Sequence, residues 1–427
     1  MSPRMDFLTH QARRLVHKRL RALDKASPPE SLRLVDPWGE VEFGALQGEG
    51  KEEAAAIEVR DPRFYRRLMT GGSLAVAESW MDGDWQTPDL TGVIRLFTRN
   101  IATADTMETG LARIAGLMAR MTAMMRRNTR TKAKRNIRAH YDLGDDFFAL
   151  FLDSTRTYSA GIFEHPQATM REASIAKLDR ICRKLALCPE HRVIEIGSGW
   201  GSFALHAAEH YGCHITTTTI SANQYDYVRR LIDERGLGDR IRLLKSDYRD
   251  LEGGFDKLVS IEMIEAVGHE RLPEYFRVCD ALLEPHGEAL IQAITMPSRR
   301  YASYLRGSDF IRHYIFPGSC VPSLVAVLAA ARDTAFNPVH LEDIGLHYAQ
   351  TLRRWREAFD ARIDEVLAMG FDRRFIRLWR FYLCYCEAGF QERYLGDVQL
   401  LLRKQGNRNA AILGSVDPER IALGEAL

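Results

Sequence analysis

From Arg192 onward, short apolar runs alternate with amphipathic stretches: RVIEI, FALHAAEHYG, HITTTTI, QYDYVRRLIDERG, IRLL, KLVSI, PEYFRVCDALL and ALIQAI. Short continuous apolar runs suit strands covered on both faces, and the stretches between them carry helical periodicity. The alternation predicts an α/β fold: a Rossmann-like, mostly parallel sheet between helices, with a ligand crevice beyond the carboxyl ends of its strands. Upstream, residues 32–97 mix the extended runs LRLVD and AAIEVRD with the glycine-rich turns MTGGS and MDGDW, which predicts a small α/β unit. Between the two regions, Leu111, Ile114, Leu117, Met118, Met121, Met124 and Met125 fall at helical spacing. They predict an amphipathic helix, packed on the body as a linker or laid on a membrane surface. The expected division is an accessory, lipid-binding unit over 1–105, an amphipathic and basic linker over 106–139, and a catalytic domain over 140–427.

A chain of 427 residues exceeds the usual size of a single hydrophobic core, so two domains are expected. Fifty-nine Lys and Arg against 57 Asp and Glu leave a formal charge of +2, which gives no overall field to attract a polyanion and disfavours a nucleic-acid partner. Basic character is local, in QARRLVHKRLRALDK and in RRNTRTKAKRNIR from Arg126 to Arg138. Such clusters suit anionic lipid headgroups, at about 1 kcal/mol per basic residue near the surface. With no apolar run long enough to span a bilayer, the expectation is a cytoplasmic protein in peripheral contact with the inner face of the membrane. Seven scattered cysteines, without a metal-type pair, point to a reducing compartment and no metal. The oligomeric state stays open, a homodimer included.

The first predicted strand, RVIEI, runs directly into Gly197-Ser198-Gly199-Trp200-Gly201. Glycines there permit a tight turn and let a ligand approach backbone N–H groups at a helix start. A dinucleotide fingerprint would need its third glycine one position later, where Ser202 stands, and an acid near the end of the second strand, where Thr219-Ile220-Ser221 stands. A nicotinamide enzyme is therefore disfavoured, and a methyltransferase-type S-adenosylmethionine site fits better. Glu195 is expected near the cofactor's ammonium end, or as a carboxylate satisfied within the sheet.

At these residues the chain resembles the cyclopropane-fatty-acid synthase family, including mycolic acid cyclopropane synthases and related fatty-acid methyltransferases. The resemblance also rests on GSLAVAESWMDGDW, HYDLGDDFFALFLD, TYSAGIF, TISANQ, DYRDL, SIEMIEAVGHE, IQAITMP, YIFPGSCVPS and HYAQTLRRWREAF, in order between Arg60 and Phe390. It implies a seven-stranded methyltransferase sheet, S-adenosylmethionine as cofactor and unsaturated phospholipid acyl chains as substrate. Tyr158, Ser159, Gly197, Gly199 and Gly201, with Thr219, Ser221 and Gln224, would line the cofactor, and Asp247 and Tyr248 would border its adenine. The family also uses a bound bicarbonate ion as base. By this resemblance Glu265, Tyr348 and the backbone at Ile294 would hold the ion. Ala160 stands where other members have cysteine, and Gln292 where they have histidine. Alanine keeps its backbone N–H, whereas glutamine can donate a hydrogen bond but cannot shuttle a proton.

Methyl transfer to an alkene passes through a carbocation, which aromatic faces stabilise. Tyr158, Tyr314, Phe316, Tyr348 and Trp355 are the aromatic candidates. The leading expectation is cyclopropanation of a cis double bond in membrane lipid. A methylene- or methyl-branched product is the nearest alternative, and a non-catalytic lipid carrier or a small-molecule or RNA methyltransferase the more distant ones.

Overall fold

The computed structural model describes residues 6–26, 30–44, 55–100, 143–307 and 309–412. The expected helix over 107–125, the basic stretch 126–138 and residues 140–142 of the HYDLGDD motif lie outside them. The chain forms two compact units, each discontinuous in sequence. The first comprises Met1–Arg127, Ser303–Pro317 and Trp355–Tyr394; the second comprises Asn128–Ala302, Gly318–Arg354 and Leu395–Leu427. Two segments expected within the block 140–427 thus belong to the N-terminal unit.

The first unit holds strands β1 (Ser31–Asp36), β2 (Gly39–Gly44), β3 (Ala55–Val59) and β4 (Trp85–Gln86), in the order β2-β1-β3-β4. Helices Phe7–Leu20, Arg63–Met81, Leu90–Arg99 and Arg373–Gln391 accompany this sheet. Buried Asp36 ties the unit together, accepting from Arg13 Nε at 2.5 Å and from the Tyr65 hydroxyl at 2.6 Å. The MTGGS segment, expected as a turn, lies inside helix Arg63–Met81. Phe64, Tyr65 and Leu68 before it, and Ala75, Ala77, Trp80 and Met81 after it, form a buried face whose packing overrides the cost of about 1 kcal/mol per helical glycine. MDGDW does turn, with Gly83 at φ +81°.

The second unit is the seven-stranded α/β sheet that the alternation predicts. Its strands are β5 (Arg192–Ile196), β6 (His214–Thr218), β7 (Ile241–Leu244), β8 (Phe255–Ile261), β9 (Leu283–Thr295), β10 (Phe336–Asp343) and β11 (Gly396–Lys404), in the order β10-β11-β9-β8-β5-β6-β7. Strands β9, β8, β5, β6 and β7 run parallel, while β11 pairs antiparallel with both β9 and β10. Successive side chains feed two cores: Val193, Val259, Leu290 and Leu401 in one, Ile194, Leu258, Ile291 and Leu400 in the other. That alternation explains why the strand sequences read as continuous apolar runs. After β5 the chain builds β6 and β7 on one side, then returns to place β8 on the other. The strand order therefore reverses between β5 and β8, where α/β sheets open their ligand crevice.

Candidate active site

Two structures flank that reversal. Leaving β5, the chain turns through Gly197 (φ +96°), Gly199 (φ +51°) and Gly201 (φ +87°) before helix Ser202–Tyr211. The Gly197 and Ser198 N–H groups donate to the Thr218 carbonyl at 3.1 and 2.8 Å, which fastens the turn to the end of β6. A β-carbon at Gly201 would meet both Val228 methyls at 3.1 Å, and one at Gly197 would meet Met263 Cγ at 3.1 Å. At Gly199 it would meet nothing within 4 Å among the described residues. Gly197 and Gly201 are therefore glycines of packing, while Gly199 faces the open space that a ligand needs.

The other expected cofactor residues lie within and just beyond the ends of β5, β6 and β7 and in the segment ahead of β5. Thr219 donates through Oγ1 to Gln224 Oε1 at 2.9 Å and accepts from the Ser221 N–H at 3.1 Å, and Ser221 caps helix Ala222–Glu234. Asp247 accepts from Arg249 Nε at 2.7 Å and Nη2 at 2.6 Å, and Tyr248 meets Tyr275 edge to face at 5.5 Å. Tyr158 packs with Phe148, Phe151 and Trp200. Ser159 is buried and accepts from Lys177 Nζ at 2.8 Å. Glu195 sits 2 % exposed within the sheet, its Oε2 accepting from the Thr217 hydroxyl. Burial pushes its carboxyl up to about 7, against the Thr217 hydrogen bond and the Lys177 charge. This is the arrangement of a carboxylate satisfied inside the sheet. The S-adenosylmethionine expectation fits the turn: a cradle open at Gly199, with buried polar groups at the ends of β6 and β7.

Across the reversal, β8 leads into Glu262-Met263-Ile264-Glu265, and the β8–β9 and β9–β11 registers gather residues far apart in sequence. Ile261 pairs with Gln292, Gln292 with Gln399, and Ile294 with Asp397. Glu262 accepts through Oε1 from the Ala160 N–H at 2.9 Å and from Gln292 Nε2 at 2.8 Å, and through Oε2 from the Tyr348 hydroxyl at 2.7 Å. Glu265 accepts from the Ile294 N–H at 2.5 Å, while its Oε2 is buried without a partner among the described residues. Gln292 also donates to Asp397 at 3.0 Å, and the other Asp397 oxygen is buried with no partner among the described residues. Burial and the Glu262 charge push Glu265 up to about 8. Asp397 is pushed well above the carboxylate range by burial and by the charges of Glu262 and Glu265. Burial brings Lys177 down to about 8, against the pull of Glu262, Asp397 and Glu195.

The expected residues Ala160, Glu265, Gln292, Ile294 and Tyr348 thus converge. They do so around a protein carboxylate that the sequence reading missed. The donors expected for bicarbonate at Ala160, Gln292 and Tyr348 are engaged by Glu262, and a further anion would sit among three carboxyl groups. Bicarbonate does not fit this arrangement, because Glu262 already occupies those donors and its charge opposes a second anion beside it. Of the aromatic candidates, Tyr314, Phe316 and Trp355 belong to the first unit, where the Tyr314 hydroxyl donates to Glu78 at 2.7 Å.

The profile of the mycolic acid cyclopropane synthetase family matches residues 128–400. The chain belongs to this family. It is 35% identical over 372 residues to the tuberculostearic acid methyltransferase UfaA1 of Mycobacterium tuberculosis, covering 85% of this chain and 86% of that one. It is 34% identical to the cyclopropane-fatty-acyl-phospholipid synthase of Escherichia coli K12 over 353 residues, 81% of this chain and 86% of that one. The mycolic acid cyclopropane synthase CmaA1, solved with S-adenosylhomocysteine (SAH) and CTAB, superposes with a TM-score of 0.60 at 32% identity, over 64% of this chain and 98% of that one. Membership makes this cyclopropane synthetase relative an S-adenosylmethionine-dependent methyltransferase that modifies lipid. No described helix is long and apolar enough to cross a membrane.

Proposed function

We propose that the protein transfers a one-carbon unit from S-adenosylmethionine to the cis double bond of unsaturated acyl chains in membrane phospholipids, closing a cyclopropane. The observation that carries this reading is a hydrogen-bonded carboxylate cluster abutting the glycine turn, with Met263 against Gly197. Bound S-adenosylmethionine supplies an electrophilic methyl group. An oxygen or nitrogen acceptor would carry the proton to be lost on the attacking atom. An alkene has none, so the transferred carbon must lose it, and a base is needed beside that carbon. The turn holds the cofactor, and the carboxylate cluster accepts the proton.

A second reading is favoured by the 35% identity to a tuberculostearic acid methyltransferase and by Gln292 where the family resemblance expects histidine. There the proton leaves after a hydride shift and yields a methylene-branched chain. Mass spectrometry and proton NMR of phospholipids after incubation with enzyme and S-adenosylmethionine separate the two readings. Cyclopropane protons support the first; exocyclic vinyl protons replace it with the second; unchanged lipids remove both.

Membrane contact belongs to the proposal, supported by the run of basic residues between Arg126 and Arg138. Sedimentation with anionic vesicles should weaken as salt rises. Equal binding to neutral vesicles would argue against electrostatic contact.

A further inference from the structure

We infer that the Glu262 carboxylate is the base that takes the proton from the transferred carbon, standing where the family resemblance would put a bicarbonate ion. This rests on the acyl-chain reading above.

The donors come first. The Ala160 N–H, Gln292 Nε2 and the Tyr348 hydroxyl reach the two Glu262 oxygens at 2.9, 2.8 and 2.7 Å from three separate segments. A carboxylate presents the same flat pair of oxygens as bicarbonate, so one tethered ion satisfies the donors that a free one would need. The Gln292 orientation is fixed from a distance. Lys184 Nζ can only donate, and it donates to Gln399 Oε1 at 2.8 Å. Gln399 must then turn its Nε2 to Gln292 Oε1, at 3.1 Å, which leaves Gln292 Nε2 facing Glu262. The chain of amides makes Gln292 a committed donor, the partner an anionic acceptor requires.

The backbone points the same way. Glu262 lies at φ +49°, in the left-handed region where a non-glycine residue costs on the order of 1 kcal/mol. The Glu262 N–H bond to the Gln292 carbonyl at 2.9 Å and the three bonds to its carboxylate hold it there. Strain held by surrounding bonds marks functional positions.

Charge selects among the three acids. Among the described residues, Glu265 and Asp397 each keep one buried oxygen unpartnered, and both are pushed toward the protonated form. Burial raises Glu262 as well, but the Ala160 N–H, the Tyr348 hydroxyl, Lys177 and Gln292 all oppose that rise. With three donors on its two oxygens, Glu262 is the member whose ionised form is best hydrogen-bonded, and its desolvation makes that form a stronger base.

In the step itself, the alkene electron pair bonds the methyl carbon while the C–S pair stays on sulfur. The methyl C–H pair then closes the ring, and the proton passes to a Glu262 oxygen. In the methylene-branched alternative, the same C–H pair forms the exocyclic double bond.

The test uses the full-length enzyme with unsaturated phospholipid vesicles in carbonate-free buffer, with and without added bicarbonate. Wild-type turnover should not respond to bicarbonate. Glu262→Gln should lower kcat by about 100-fold or more while S-adenosylmethionine affinity, read by calorimetry, holds within about threefold. Glu262→Gly removes both carboxylate and strain, and should regain turnover when bicarbonate or acetate is added. Carbon-13 NMR should show labelled bicarbonate bound to the Gly variant and not to wild type. Bicarbonate-dependent turnover or bicarbonate binding in wild type overturns the inference, as does near-full turnover in Glu262→Gln. Wild type yielding no modified lipid overturns the acyl-chain reading instead, and this inference falls with it.

Discussion

The glycine turn and the carboxylate cluster face one another across the same reversal of strand order, yet they are assembled in opposite ways. The turn is local: five consecutive residues, one strand before them and one helix after. The cluster draws Ala160, Lys177, Glu262, Glu265, Gln292, Tyr348 and Asp397 from across the second unit, through β8–β9–β11 register and side-chain hydrogen bonds. A local site depends on backbone conformation at a few positions, so its failures should be steric. A dispersed site depends on how charge is shared, so its failures should appear in pH profiles.

The sharpest way to break the local half is to compare two of its glycines. Gly199→Ala places a methyl into open space at φ +51°, costing the fold about 1–2 kcal/mol while intruding where the cofactor approaches. S-adenosylmethionine affinity should fall about 100-fold, about 3 kcal/mol, in a folded protein. Gly201→Ala meets Val228 instead, so its first effect should be a lower melting temperature. Calorimetry and thermal melts on both variants decide the matter; unchanged affinity in folded Gly199→Ala removes the turn as the cofactor site.

Lys177 probes the dispersed half with a smaller effect. Its ammonium pulls down the carboxyls of Glu262, Asp397 and Glu195. Lys177→Met removes that attraction, so the base should hold its proton to higher pH. The acid limb of the kcat profile should move up by about one unit, with roughly tenfold loss on that limb and little change in KM. An unshifted limb would show that Lys177 does not set the charge of the base.

The parallel strands of the sheet and the glycine turn were legible because each is written in consecutive residues, whereas the strand order was not read from them. Glu265, Gln292, Ile294, Ala160 and Tyr348 were reachable through family resemblance. Glu262 lies in the same SIEMIEAVG motif, where two acids three residues apart at a strand end are its visible signal. Asp397 and Lys177 had none: one enters through antiparallel pairing with Ile294, the other from a helix face onto Ser159. The MTGGS segment misled for the converse reason, since tertiary packing of its flanks decided its conformation.

The smallest expected effect tests whether Glu195 belongs to the cofactor half or to the interior. Its carboxyl is raised to about 7 by burial, from about 4.5 in the unfolded chain. Between those values the native state holds a proton that the unfolded state releases. Stability should therefore fall as pH rises from about 4.5 to 7, and stay lower above that window. Glu195→Gln removes this cost while its amide oxygen still accepts from Thr217. The variant should gain on the order of 1–3 kcal/mol over wild type at pH 8 and little near pH 4.5. Its S-adenosylmethionine affinity should change by less than about threefold, under 1 kcal/mol, because the carboxylate is engaged inside the sheet. Urea unfolding at the two pH values, alongside calorimetry, reads both quantities. A flat stability difference with a tenfold loss of affinity would return Glu195 to the cofactor's ammonium and make the local half wider than its five residues.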